Sequence, residues 1–269
     1  MVPTTIIVAL IVLSVVSVLM LVIAWFIVWR RTKAGFVNAL IGMAVFTVCY
    51  IIAIATSILA SAFISNLVVL TLVLSLRAGL VEEFGRFVAF KWLLKKRKTI
   101  GDGLMYGVGH GGMEVLLVFS LAVVSSLALA LMANSGNLDV MIALAPDQAG
   151  ALNASVTDLA QSNPLLLSAG LVERIVAMSL HIALSVIVFC AVRQRKWMYL
   201  VLAMALHALT DASTALYVSG IVGTWAIEGI IAAITAGVVV IAWRIARSYK
   251  PAPEPWVLAP PPAIPSQSV

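Results

Sequence analysis

Apolar residues run through this chain in stretches of twenty or more, interrupted by short polar clusters. That rhythm predicts seven membrane-crossing helices, at 5–29, 35–61, 66–94, 103–132, 165–192, 197–218 and 221–245. In hydrocarbon every backbone N–H and C=O must be satisfied within its own segment, so such stretches become helices. The reading is therefore an all-α, polytopic transmembrane bundle of about seven spans. Residues 1–250 form a single membrane domain, and the proline-rich stretch 251–269 forms a disordered cytoplasmic tail. The first apolar run has no basic segment before it and continues to Trp29, which reads as a span and not as a cleavable signal.

The polar interruptions set the orientation. Basic residues cluster at Arg30, Arg31 and Lys33, at Lys91 and Lys95 to Lys98, at Arg193, Arg195 and Lys196, and at Arg244, Arg247 and Lys250. These follow spans 1, 3, 5 and 7, so simple alternation puts them all on one side. The opposite loops lack Lys and Arg, and the longest, Asn134 to Pro164, carries only Asp139, Asp147 and Asp158 and has room for a short helix. The positive-inside rule then predicts an outside N-terminus and a cytoplasmic C-terminus. The net charge of +6 is thus topological, adding attraction to anionic lipid and excluding nucleic acid as a partner. Cys49 and Cys190 both fall inside spans, which implies no disulfide framework.

With 63% hydrophobic and only 10% charged residues, ionisable groups inside spans stand out. Each costs a few kcal/mol near the bilayer centre and calls for a functional reason. Counted from the cytoplasmic ends at roughly 1.5 Å per residue, Glu83, Glu114 and His181 lie about 18 Å deep, His207 about 16 Å and His110 about 12 Å. Four helices so place them at similar levels. His110 and Glu114, like His207 and Asp211, are four apart and share a helix face, while Arg86 sits three and four residues after Glu83 and Glu82. An arginine beside two carboxylates holds one ionised and leaves the other for proton handling. Gly103, Gly107 and Gly111 form a ridge that admits a close neighbour, either another helix or a substrate segment. Arg77, Glu173 and Arg174 come out at the outer surface, as interfacial anchors. Glu228 reads as an interhelical hydrogen-bonding group.

Two chemistries fit the convergence. Histidines with a carboxylate (His110, His181, His207 and Asp211 are the candidates) suit a divalent metal such as zinc with an open position for water. Without metal, a glutamate and a histidine activate water while His207 and Asp211 stabilise an oxyanion. Both describe hydrolysis, most naturally of a peptide bond. A proton-coupled transporter is another use of buried Glu, His and Asp, but no internal repeat supports it. A non-catalytic adaptor or immunity-type protein of the same fold is a third reading.

At Glu82-Glu83-Phe84-Gly85-Arg86, Tyr106-Gly107-Val108-Gly109-His110 and His207-Ala208-Leu209-Thr210-Asp211 the chain resembles the YhfC-like intramembrane metalloproteases, relatives of the CAAX-protease and bacteriocin-processing superfamily and of the PrsW-type proteases. The match spans 82–211, with the HGGME segment and His181 as the YhfC-type elaboration. The resemblance implies a peptidase with Glu82 as the water-activating residue, assisted by His110, and with His207 and Asp211 as ligands or electrophilic stabilisers. The site residues would be Glu82, Glu83, Arg86, His110, Glu114, His207 and Asp211. Its substrates would be membrane proteins or lipidated peptides, and its place the bacterial plasma membrane. Two departures stand out: Arg86 follows Glu83 by three where the CAAX enzymes have four, and Asp211 replaces the usual Asn.

Overall fold

Helix follows wherever the apolar runs lie. The structure, a computed structural model, describes residues 1–250, so the tail expected at 251–269 lies outside the described residues. In chain order, α1 (Thr4–Thr32), α2 (Phe36–Phe63) and α3 (Leu67–Val88) lead into a π-helical turn at Ala89–Leu93. Then α4 (Ile100–Glu114) runs through a second π-helical stretch, Val115–Ser120, into α5 (Leu121–Ser135). The long loop holds α6 (Leu138–Leu144) and α7 (Ala149–Gln161). It is followed by α8 (Pro164–Gln194), α9 (Trp197–Ala212), α10 (Ala215–Val218) and α11 (Thr224–Ser248). There is no strand among the described residues, and the expected all-α membrane bundle is what forms.

Among the described residues, six helices are long and apolar enough to cross a membrane: Thr4–Thr32, Phe36–Phe63, Ile100–Ser135, Pro164–Gln194, Trp197–Val218 and Thr224–Ser248. The remaining expected span, 66–94, is helical too. It carries Arg77, Glu82, Glu83 and Arg86, however, and is too polar to qualify by composition. Its polar face is turned inward against α2, α8 and α9. Local signals set the ends: Asn66 accepts the Val69 N–H to start α3, and Asn163 with Pro164 starts α8. At α4, Thr99 and Asp102 cap each other reciprocally, and Asn38 donates to the same aspartate at 2.7 Å, tying the inner end of α2 to that of α4.

The bundle is organised around α8. Two-thirds of its most apolar stretch is buried, against about a fifth for α1 and α2, whose outer faces present Ile51, Ile58 and Phe63 to lipid. The glycine ridge of α4 makes this possible. A Cβ at Gly107 would lie 2.6 Å from the Ile182 Cα, and one at Gly111 would lie 3.2 Å from the Met178 Cα. So the close neighbour of that ridge is α8 itself. On the opposite face of α4, a Cβ at Gly109 would fall 1.9 Å from the Ala39 carbonyl oxygen of α2. Only glycine permits a three-helix sandwich this tight.

The basic-cluster end of the bundle is closed. Phe90, Tyr106, Leu184, Ile187 and Phe189 are fully buried there, with Phe90 4.6 Å from Tyr106 and 5.5 Å from Phe189 between ring centroids. Arg193, grouped in the sequence with surface cations, donates to the carbonyls of Phe90, Leu94 and Arg97 at 3.0, 2.7 and 2.7 Å. A π-helical turn that ends in a loop leaves such carbonyls without intrahelical partners. The guanidinium of Arg193 fills that need and joins α8 to the inner end of α3.

Candidate functional site

Midway along the bundle, α3, α4, α8 and α9 each turn an ionisable face to a common centre. Arg86 is fully buried and binds the equally buried Glu83 through Nη1. Its Nη2 lies 3.8 Å from Glu82 Oε2 and donates to His181 Nδ1. The shorter i,i+3 spacing therefore gives Glu83 the direct ion pair and leaves Glu82 less tightly held, at 15% side-chain exposure. A buried arginine is tolerated here because its two terminal nitrogens and its charge are met by fixed partners, while its Nε has no hydrogen-bond partner among the described residues.

The three histidines gather around this pair. His110 donates from Nε2 to Glu82 Oε2 at 3.0 Å, under the edge of Phe46, whose ring centroid is 5.1 Å away. His207 donates from Nδ1 to Glu83 Oε1 at 2.7 Å, which fixes its tautomer and leaves Nε2 facing the cavity, 3.5 Å from Asp211 Oδ2. His181 stands between them, 5.3 Å from each of His110 and His207 by ring centroids. Its Nε2 abuts the Glu114 carboxylate. Glu114 also takes Arg174, which reaches Glu173 as well.

Arg174 and Glu173 correct the expectation of interfacial anchors. Arg174 is buried and belongs to the network around Glu114. Arg77, also expected at the surface, lines the same cavity as Glu82 and Asp211. The signal that could have placed Arg174 was its seven-residue spacing from His181, two turns on one face of α8. Glu228 is buried on α11, and its Oε2 has no hydrogen-bond partner among the described residues.

A cavity of about 460 Å³ rises from this floor. Its walls run toward the ends where α2 finishes and α3 begins: Tyr50, Ile54 and Ile58 on α2, Arg77 on α3, Arg174 on α8, and Thr210 and Thr214 after His207. α9 ends at Ala212 and leaves this half of the bundle loosely filled. The cavity so leads from Glu82, His181 and His207 away from the basic clusters.

One set of donors could hold a metal. Glu82, His181 and His207 each offer a ligand atom, all within 4.8 Å of one another. Two imidazoles and a carboxylate with an open fourth position are the zinc set of hydrolytic sites, so the chemistry fits. His181 is flanked on both ring nitrogens, by Arg86 and by Glu114, and one of these contacts must give way for it to serve as a ligand. His110 and Asp211, also candidates from the sequence, stand beside this trio: His110 orients Glu82, and Asp211 faces His207 from the cavity wall.

The chain is 36% identical to an uncharacterized membrane protein, YhfC, of Bacillus subtilis (strain 168), over 168 residues covering 60% of this chain and 62% of that protein. The chain thus spans less than two-thirds of that relative's length. No solved structure matches. The model of the YhfC intramembrane metalloprotease family matches residues 16–232, taking in every helix that contributes to the site. With the double glutamate, the three histidines and their membrane setting accounted for, the chain belongs to the YhfC intramembrane metalloprotease family.

Proposed function

We propose that this protein is an intramembrane endopeptidase of the bacterial plasma membrane, acting on membrane-embedded or membrane-proximal chains. The observation that carries the reading is the convergence of Glu82, His181 and His207 on the floor of a cavity deep within an apolar bundle. Water is scarce in hydrocarbon, and a polar cavity reaching these groups is what peptide hydrolysis there requires.

In this reading Glu82, pointed by His110, takes a proton from water as the oxygen attacks the scissile carbonyl carbon. The C–N bond then breaks and the proton passes to the leaving nitrogen. His207, held by Glu83 through Nδ1, donates from Nε2 to the developing oxyanion as an imidazolium, protonated on both ring nitrogens. Glu82, His181 and His207 would hold a zinc ion, which when bound would supply Lewis-acid polarisation of water and carbonyl. With Glu82 so engaged, Asp211 is the cavity carboxylate left to carry the proton.

In this reading the closed end, which carries the basic clusters, faces the cytoplasm in keeping with the positive-inside rule, and the cavity faces the extracytoplasmic side. The test is elemental analysis of purified protein together with cleavage of a reporter transmembrane segment. Wild type should hold near-stoichiometric zinc and cut the reporter; His181→Ala and His207→Ala should lose both. Metal-free wild type that still cuts would refute the zinc part alone. Intact reporter with folded, zinc-loaded wild type would refute the peptidase.

A further inference from the structure

The other arginines of α3 and α8 meet fixed partners. Arg86 has Glu83, Arg174 has Glu114 and Glu173, and Arg193 has three backbone carbonyls. Arg77 is different. It stands ten residues into α3, about 15 Å from the helix's outer end. Its Nε, like that of Arg86, is shut off from solvent without a hydrogen-bond partner among the described residues, but Arg77 has no ion pair there either. Glu82 and Asp211 are close enough to be felt electrostatically, but neither forms an ion pair with Arg77 among the described residues. An unpaired guanidinium at this depth is costly. Nothing in the packing demands it, because Arg77 is only half-buried and lines the open cavity.

We propose that Arg77 is a specificity residue that receives a carboxylate carried by the substrate chain. The guanidinium fork matches a carboxylate with two parallel N–H donors, and the pairing would satisfy the charge the fold leaves open. The position also sets a register. Arg77 is five residues outward from Glu82 on the same helix, about 7.5 Å of axial rise. Two extended residues cover about that distance. The carboxylate therefore sits about two residues from the bond at Glu82, on the side of the substrate that leads out of the cavity. It comes from an acidic side chain or from a free C-terminus, and both present the same group. A lipid phosphate is the less favoured source: Arg77 faces a cavity whose floor is the site, and the headgroup level lies beyond the outer turns of α3.

This inference rests on the peptidase reading for its register but not for its test, which measures binding alone. Full-length Glu82→Gln protein in lipid nanodiscs is titrated with fluorescent Leu/Ala helical peptides of about twenty residues. One pair carries Asp or Asn at a single stepped position, and a second ends in a free carboxylate or a carboxamide. The carboxylate forms should bind at least about tenfold tighter, as expected for charge-assisted hydrogen bonds in a partly enclosed cavity. Arg77→Met should abolish the preference while leaving carboxamide binding unchanged, and Arg77→Lys should keep part of it. Which pair shows the preference identifies the side chain or the terminus as the source. Equal affinities in the Arg77 protein overturn the proposal, as does a preference that survives Arg77→Met. So does a dependence on Arg77 that appears only when phosphatidylglycerol replaces phosphatidylcholine in the disc, which makes the residue a headgroup anchor. Since no cleavage is read, the hydrolytic reading stands or falls separately, on the Glu82 and zinc measurements.

Discussion

The same helices are packed in opposite ways on the two sides of Glu83. Toward the basic clusters, Phe90, Tyr106, Ile187 and Phe189 exclude all solvent. Toward the other end, α2, α3, α8 and α9 keep a cavity with Arg77, Glu114, Arg174 and Asp211 on its wall. The dry half is a foundation: it fixes the backbones that carry Glu83 and Arg86, so these two need no rearrangement to hold His207 and His181 in place. The wet half supplies what the dry half cannot, room for water beside the carboxylates and imidazoles. The site lies at the boundary, where a carboxylate has one rigid neighbour and one free face.

The sharpest way to break this contrast is at the boundary itself. Glu82→Gln keeps shape and loses basicity, and should lower cleavage of a reporter segment by about a thousandfold without lowering the melting temperature, read by protease assay and thermal scanning. Arg86→Met attacks the dry side, leaving Glu83 buried without its cation. It should destabilise the detergent-solubilised protein by about 3–5 kcal/mol, measured by denaturant titration, and Glu83→Gln added to it should restore part of that. Gly107→Val forces a methyl-bearing carbon against α8 and should cost about 1–3 kcal/mol in the same titration. Ser57→Leu, on the cavity wall near the outer end of α2, should change stability by less than about 0.5 kcal/mol. If Ser57→Leu destabilises as much as Gly107→Val, the outer half is as tightly packed as the inner and the comparison collapses.

Much of this was legible in the sequence. Apolar runs gave the helices, and four-residue spacings put His110 with Glu114 and His207 with Asp211 on common faces, because helical periodicity is local. Counting depth along each span brought the four helices' polar groups to one level. It failed for Arg174 because α8, at 31 residues, is longer than a bilayer crossing, so counting from its inner end overstates how far out a residue lies. Arg193 was misread for a different reason. The carbonyls it caps are freed by a π-helical turn on another helix, which no local pattern in α8 encodes. Nor could spacing decide which histidine joins Glu82 and His207, since that depends on how closely the glycine ridge lets α8 approach.

That arginine has a mechanical consequence. By clasping carbonyls of the π-helical turn and loop that follow α3, it makes the inner ends of α3 and α8 a single pivot: neither helix can slide along the other without giving up three hydrogen bonds together. What remains is angular motion, with a lever arm that lengthens toward the outer surface. Any widening of the cavity is therefore a splaying of the outer turns about a hinge near Phe90, with displacements small at Glu83 and largest at the rim.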